Sequence, residues 1–159
     1  HIKICDFGEA FLWRDEPQPI ELHTPSAHAA PEILFHDPVS PAVDVWSTAV
    51  LAHCLLSRVY PFNPDGAGSV VYELVLNLGK LPDRWWAKWS DRSKWFDEND
   101  VYIGQEDLKR MVEGKSQCFR ITRWMKGPQD EIVKFENLVR RMLCYRVEDW
   151  ISADGVIQS

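Results

Sequence analysis

Residues 30–57 read APEILFHDPVSPAVDVWSTAVLAHCLLS, and this stretch decides how the rest of the chain is read. Its second half predicts a helix over 41–57. Ser40 can cap that helix, and Pro41 suits a first helical position, where a missing N–H costs nothing. Val43, Trp46, Val50, Leu51, Cys54 and Leu55 make an apolar stripe, widened by Ala49, Ala52 and Leu56. A helix apolar over most of its circumference is expected to be buried and central. Asp44 lies on it, and a buried carboxylate needs hydrogen-bond donors.

Outward from this helix, residues 69–78 (SVVYELVLNL) predict a second helix, closed by Gly79. Residues 80–128 are irregular, rich in charge and in tryptophan (Trp85, Trp86, Trp89, Trp95, Trp124), with a short helix expected over 105–112. Residues 129–144 carry Ile132, Val133, Phe135, Leu138, Val139 and Met142 at spacings of three and four, which predicts an amphipathic helix. Asp130 and Glu131 near its start and Arg140 and Arg141 near its end suit the helix dipole. Ser152-Ala153-Asp154 is expected to begin a last helix. Towards the other end, the alternation in residues 2–5 reads as a short strand. Residues 14–31, with Pro17, Pro19, Pro25 and Pro31, read as a long loop.

Composition narrows the class. The chain has 159 residues, 45% of them apolar and 26% charged, which is globular rather than disordered. A net charge of −6 disfavours a protein that reads a phosphate backbone, so no nucleic-acid partner is expected. It suits ordinary solubility and is compatible with a basic protein substrate. Cys5, Cys54, Cys118 and Cys144 show no C-x-x-C or zinc spacing, so a reduced, intracellular protein is expected, cytoplasmic or nuclear. No signal-peptide pattern and no run of about 18 apolar residues occurs, so no membrane span is expected. The opening His1, inside the pattern Ile-Lys-Ile-Cys-Asp-Phe-Gly, reads as a chain cut from something longer.

Three short motifs stand in order: Asp6-Phe7-Gly8, Ala30-Pro31-Glu32 and Asp44-Val45-Trp46-Ser47. A lone Asp-Phe-Gly is three common residues. The three together, at a strand end, a loop end and a central helix, resemble the eukaryotic protein kinases: the magnesium loop, the end of the activation segment and the central helix of the C-lobe. The resemblance implies a mainly α fold, the C-terminal helical lobe of the protein-kinase fold with a short β remnant at its start. Residues 1–159 would be a partial kinase domain, running from the Asp-Phe-Gly strand to the start of the last helix.

The resemblance also assigns roles. Asp6 would hold Mg²⁺ against ATP phosphates, with Phe7 as the packing residue and Gly8 as the hinge. Thr24 and Ser26 lie in the activation segment and read equally as phosphorylation sites or as turn residues. In kinases the aspartate matching Asp44 accepts N–H groups of the catalytic loop, so Asp44, like Trp46, has a structural role. The segment 80–128 falls where the branch of cyclin-dependent, mitogen-activated and SR-protein kinases carries an insert. Leu78-Gly79-Lys80-Leu81-Pro82 and the cysteine-bearing Asp-Phe-Gly strand look like SR-protein-kinase-like proteins of filamentous fungi. The implied activity is ATP-dependent phosphorylation of Ser/Thr hydroxyls in a protein substrate, basic or Arg/Ser-rich. The insert's tryptophans read as packing, with a docking surface as the alternative.

Departures from the pattern qualify this. The glycine-rich loop, strand lysine, helix glutamate and His-Arg-Asp loop do not occur in the sequence, so the kinase N-lobe and catalytic loop are expected to be missing and the chain alone inactive. His28 and Ala29 replace a tyrosine and an arginine usual before Ala-Pro-Glu in that branch. Trp150 stands where an arginine usually pairs with the Ala-Pro-Glu glutamate. Glu32 is therefore expected to turn to solvent or to find another cation, Arg146 being the nearest in sequence. These departures keep open a pseudokinase or protein-interaction module acting through the Trp-rich insert.

Overall fold

The structure is a computed structural model, and it describes residues 3–13, 22–62, 69–104, 126–146, 152 and 155–156. The described residues are mainly helical. The helices are α1 (Pro31–Leu34), α2 (Ala42–Ser57), α3 (Val70–Leu78), α4 (Asp83–Trp86) and α5 (Gln129–Met142), with 3-10 turns at Phe7–Glu9 and Ser90–Lys94. Phe96 and Tyr102 form an isolated antiparallel bridge. Residues 3–5, expected in a strand, pair with nothing among the described residues. Alternating side chains suit a strand but do not make one, because the ladder needs a second strand to exchange hydrogen bonds.

Helix α2 begins where the sequence places it, with the Ala42 N–H donating to Ser40 Oγ at 3.3 Å. Its buried face is Val43, Trp46, Ala49, Val50, His53 and Ser57. This differs from the expected stripe by a rotation about the helix axis. Leu51, Leu55 and Leu56 are 50%, 71% and 49% exposed, so the helix is not buried all round. Polar residues are accommodated on the inner face because they cap the end of the helix. Ser57 Oγ donates to the His53 carbonyl at 2.8 Å, and His53 Nδ1 lies 3.0 Å from the Val59 carbonyl oxygen. Burial pushes the imidazole below its usual range.

Helix α3 follows its sequence prediction, entering after Ser69 and leaving through Gly79 at φ 88°, a left-handed backbone that glycine adopts without a Cβ clash. It separates two apolar cores. Val70 and Leu74 join Val39, Val43, Trp46, Val50, Phe62, Val139, Met142 and Leu143 in the first, where α2 packs on α5. Tyr72, Val75 and Leu76 join Phe35, Leu81, Trp85, Trp86, Trp89, Phe96 and Tyr102 in the second. Tyr145, after α5, is packed against both and donates its hydroxyl to the Gly79 carbonyl at 3.1 Å.

The described part of the 80–128 segment contributes Leu81, Trp85, Trp86, Trp89, Phe96 and Tyr102 to the second core. Trp85, Trp86 and Trp89 are 1%, 5% and 6% exposed, so these tryptophans pack rather than present a surface. Their rings meet edge to face, Trp86 with Phe96 at 4.8 Å and Trp86 with Trp89 at 5.7 Å, the arrangement their quadrupoles favour. The helix expected over 105–112, and Trp124 and Cys118, lie outside the described residues. Ser152 takes the Gly155 N–H on its Oγ at 3.1 Å and the Val156 N–H on its carbonyl at 3.0 Å, in the region where a last helix is expected. Cys5, Cys54 and Cys144 form no disulfide.

Candidate functional site

Asp44-Val45-Trp46-Ser47 lies in the first half of α2, and Asp6-Phe7-Gly8 lies in an exposed turn near the start of the described residues. Asp6 sits in the left-handed region at φ 64° and ψ 65°, uncommon for a residue with a Cβ, directly before the Phe7–Glu9 turn. Its side chain is exposed. Phe7, expected to pack, is 67% exposed. Gly8 does not have positive φ, and a Cβ built on it would meet Asp6 Oδ1 at an ordinary 3.8 Å, so local geometry does not demand glycine there.

Glu9 joins this turn to the far end of the loop. Its carboxylate accepts the His23 N–H at 3.3 Å and lies 3.3 Å from the ring Nδ1. These contacts hold the carboxyl below its usual range. Both side chains are exposed, so the pair fixes geometry more than it stabilises. Residues 14–21, between the two, lie outside the described residues.

From Thr24 the chain closes onto α2. The His28 and Ala29 N–H groups return to the Pro25 carbonyl at 2.8 and 3.0 Å, making a tight turn. Ser47 Oγ, from α2, donates to the His28 carbonyl at 3.1 Å. Ala29 and Ala30 are 2% and 0% exposed, and Pro31 is fully buried. The small side chains of Ala29 and Ala30 suit this close approach. The turn presents Ser26 to solvent and leaves Thr24 half-buried.

Two expectations are corrected. Asp44 is exposed rather than buried, on the outer side of the first turn of α2, while Trp46 two residues on is fully buried and stacks on Phe62 at 5.7 Å. Glu32 does not turn to solvent: it is 6% exposed, and its Oε2 has no hydrogen-bond partner. Burial pushes this carboxyl above its usual range, with a hydrogen bond from its own backbone N–H and then the Arg84 charge opposing the rise, and Asp37 adding to it. Arg146, the cation nearest in sequence, is exposed. Trp150 lies outside the described residues.

Asp37 and Arg84 are residues that sequence reasoning missed. The Asp37 N–H donates to the Glu32 carbonyl at 2.8 Å. Its carboxylate accepts the Trp85 indole N–H at 2.7 Å and a bond from the Lys88 ammonium, and lies 3.6 Å from Arg84 Nε. Burial works to raise this carboxyl, but the Lys88 and Trp85 hydrogen bonds and the charges of Lys88 and Arg84 outweigh it, and the net shift is downward. No local pattern announces such a cluster, since its members are distant in sequence.

Chemically, Asp6 offers one accessible hard oxygen donor. No group of three His, Cys, Asp or Glu side chains that could cage a metal occurs among the described residues. That donor set fits Mg²⁺ held by one carboxylate with phosphate oxygens and water, rather than by an all-protein cage.

A turn motif with an exposed aspartate, a docked Ala-Pro-Glu segment and a buried tryptophan on a central helix define a kinase-type helical lobe. The profile of the protein kinase domain family matches residues 1–159, and the chain belongs to that family. It is 35% identical over 80 residues to serine/threonine-protein kinase 17A of Oryctolagus cuniculus, an alignment covering 50% of this chain and 19% of that protein. It is 27% identical over 150 residues to a death-associated protein kinase of Caenorhabditis elegans, covering 92% of this chain and 10% of the other. A death-associated protein kinase relative of Drosophila melanogaster is 36% identical over 79 residues, 50% of this chain and 11% of that protein. The chain thus spans between a tenth and a fifth of the length of these relatives. Among the described residues, no helix is long and apolar enough to cross a membrane.

Proposed function

We propose that the chain forms the helical part of a Ser/Thr protein kinase domain, extending from the magnesium loop to the start of the last helix, in which the turn at Ala27–Glu32 supports a protein substrate. The observation that carries this reading is the docking of Ala30-Pro31-Glu32 on α2 through the Ser47–His28 bond and the burial of Ala29 and Ala30. Asp6 is the residue that would hold Mg²⁺, and the bound MgATP would supply the phosphoryl group. Phe7 and Gly8 would shape that loop. The base that takes the substrate proton and the loop that covers the phosphates come from outside these 159 residues, and the chain by itself transfers no phosphate. Substrates would be intracellular proteins, basic or Arg/Ser-rich, and 80–128 would be an insert of the SR-protein-kinase kind. In support of the insert, the Leu78–Pro82 phrase forms the connection from α3 into the tryptophan core. The relatives quoted above carry other kinase names.

The test is a titration of Mg²⁺ and ATP followed by chemical shifts of residues 3–13, comparing the chain with Asp6→Ala. Weak, metal-dependent shifts centred on Asp6, lost in the variant, are expected. Equal binding by both removes Asp6 from the site. The alternative of an interaction module built on the tryptophans gains no support from Trp85, Trp86 and Trp89, which are buried.

A further inference from the structure

The chain leaving α3 and the chain leaving α5 meet around a cleft of about 550 Å³. That volume lies within the range of ligand sites. The Tyr145 hydroxyl donates to the Gly79 carbonyl at 3.1 Å and so pins the two walls together. None of the lining residues belongs to the Asp6 turn or to the Ala30-Pro31-Glu32 segment. The charge of the lining is opposite to that of the chain. The chain carries a net −6, yet the cleft meets Lys80, Arg140 and Arg146 against the single carboxylate of Asp83. Two of these cations are held from outside the cleft. Lys80 is bonded to Asp100 at 2.8 Å, and Glu136 takes the Arg140 Nη2 at 2.6 Å and Nε at 3.1 Å. Neither Asp100 nor Glu136 lines the cleft, so these pairs moderate the two charges and fix where they sit. Arg146 is exposed and makes no ion pair among the described residues.

Two further features of the wall narrow the ligand. Leu78, Leu81, Pro82 and Leu143 give it an apolar part. Asn77 commits its amide N–H groups to the Glu73 and Pro61 carbonyls, at 2.8 and 3.4 Å, so what it can offer a ligand is an acceptor, Oδ1. Asp83 is a second acceptor. A bare anion would gain from the cations but nothing from these acceptors, and Asp83 would repel it. A peptide brings N–H groups for both. We propose that the cleft binds a short acidic peptide segment of a partner protein. Its carboxylates lie against Lys80, Arg140 and Arg146, its backbone N–H groups against Asn77 and Asp83, and an apolar side chain against the leucine wall. This ligand is opposite in charge to the basic substrate proposed above, and the cleft shares no residue with that site, so the two readings fail separately.

The experiment is a titration of the ¹⁵N-labelled whole chain with an unlabelled peptide, a leucine flanked on each side by a pair of glutamates, followed by amide chemical shifts. Saturable shifts concentrated in residues 77–83 and 140–146 are expected, with a Kd on the order of 100 µM for so small a contact. Lys80→Gln and Arg146→Gln change opposite walls, and both side chains are exposed, so neither disturbs the core. Each should weaken binding by about two- to fivefold, and Arg146→Glu by more. Replacing the glutamates of the peptide by glutamine, or its leucine by serine, should each weaken binding as well. Inorganic phosphate should displace the peptide no better than sodium chloride at equal ionic strength. The proposal is overturned by an absence of saturable shifts at millimolar peptide, by shifts centred elsewhere, or by unchanged affinity in both glutamine variants. It is also overturned if phosphate displaces the peptide better than chloride does, which would make the cleft a site for simple anions.

Discussion

The indole N–H of Trp85 donates to Oδ2 of Asp37 at 2.7 Å, joining residues 48 positions apart. The same tryptophan stacks on Phe35, with ring centres 5.6 Å apart and planes 8° from parallel. One side chain thus holds the segment after α1 by a charge-assisted hydrogen bond at its edge and by a ring contact on its face. Since α1 ends the candidate activation segment, these contacts tie the tryptophan-rich region to the end of that segment.

Trp85→Phe should retain the ring contact and lose the bond. A hydrogen bond to a charged acceptor is worth roughly 1.5–3 kcal/mol, and the lost ring volume adds to it, so a fall of about 2–4 kcal/mol in unfolding free energy is expected. Asp37→Asn should cost less, about 1–3 kcal/mol, because the amide oxygen can still accept. Its pH dependence is the sharper readout. Asp37 is depressed in the folded state, so the stability it contributes is present above the unfolded carboxyl value and is lost as pH falls through the folded one. Urea melts of the wild type should lose stability across that acidic range, and the Asn variant should lose less.

Glu32 runs the other way. Its folded value is raised, so its contribution favours folding below the unfolded carboxyl value and is lost as pH rises through the folded value. Glu32→Gln removes that penalty. At neutral pH the variant should be more stable by on the order of 1 kcal/mol, with the gap closing below the ordinary carboxylate range. A destabilised Gln variant at pH 7 would mean that the ionised carboxylate has a partner the unbonded Oε2 conceals.

What the sequence could and could not show follows from range. Helices α3 and α5 were legible because their apolar residues repeat at helical spacing and because Ser69, Gly79 and the charges of α5 mark the ends. The existence of α2 was equally plain, but its inward face was not. With Leu51, Cys54, Leu55 and Leu56 as apolar as Val43 and Val50, no stripe outweighs another, and the choice was made by α5 and α3 packing on the Trp46 side. Burial of Glu32 was not legible because the residues around it, Asp37 and Arg84, come together only when α4 folds under α1. The alternation in residues 2–5 is a local pattern, whereas a ladder needs a second strand, and none pairs with residues 3–5 among the described residues.

The Tyr72 and Tyr102 hydroxyls lie 2.7 Å apart inside the second core, and Tyr72 also stacks on Trp95 with ring centres 4.0 Å apart. Burial, with Tyr102 beside it, raises the Tyr72 hydroxyl far above its usual range. A Cβ built on Gly104 would overlap the Tyr102 hydroxyl. Gly104→Ala must therefore displace that hydroxyl and leave the one on Tyr72 without its partner. A loss of about 1–3 kcal/mol is expected, the cost of a buried polar group left unpaired. Adding Tyr72→Phe to Gly104→Ala should recover part of it, since the Tyr72 hydroxyl is then no longer left unpaired in the core. Thermal melts of the two variants decide the point, and additive losses would show that the hydroxyl pair is not what Gly104 protects.

The outer side of α2 and the turn after it expose Leu51, Leu55, Leu56, Val59 and Tyr60, all at least 44% accessible. Leu51 and Leu55 are one helical turn apart on α2, with Leu56 beside Leu55 and Val59 and Tyr60 exposed just after the helix. A contiguous apolar face of this kind drives self-association. The chain at tens of micromolar should accordingly sediment as concentration-dependent oligomers. Leu55→Glu, at the most exposed of these positions, should shift it towards monomer while changing the unfolding free energy by no more than about 0.5 kcal/mol, because no core contact is removed. Leu74→Glu serves as the contrast: Leu74 is fully buried on α3, and there the charge should unfold the chain rather than disperse it. A wild-type chain that is monomeric and melts cooperatively at that concentration would show that the exposed leucines do not associate.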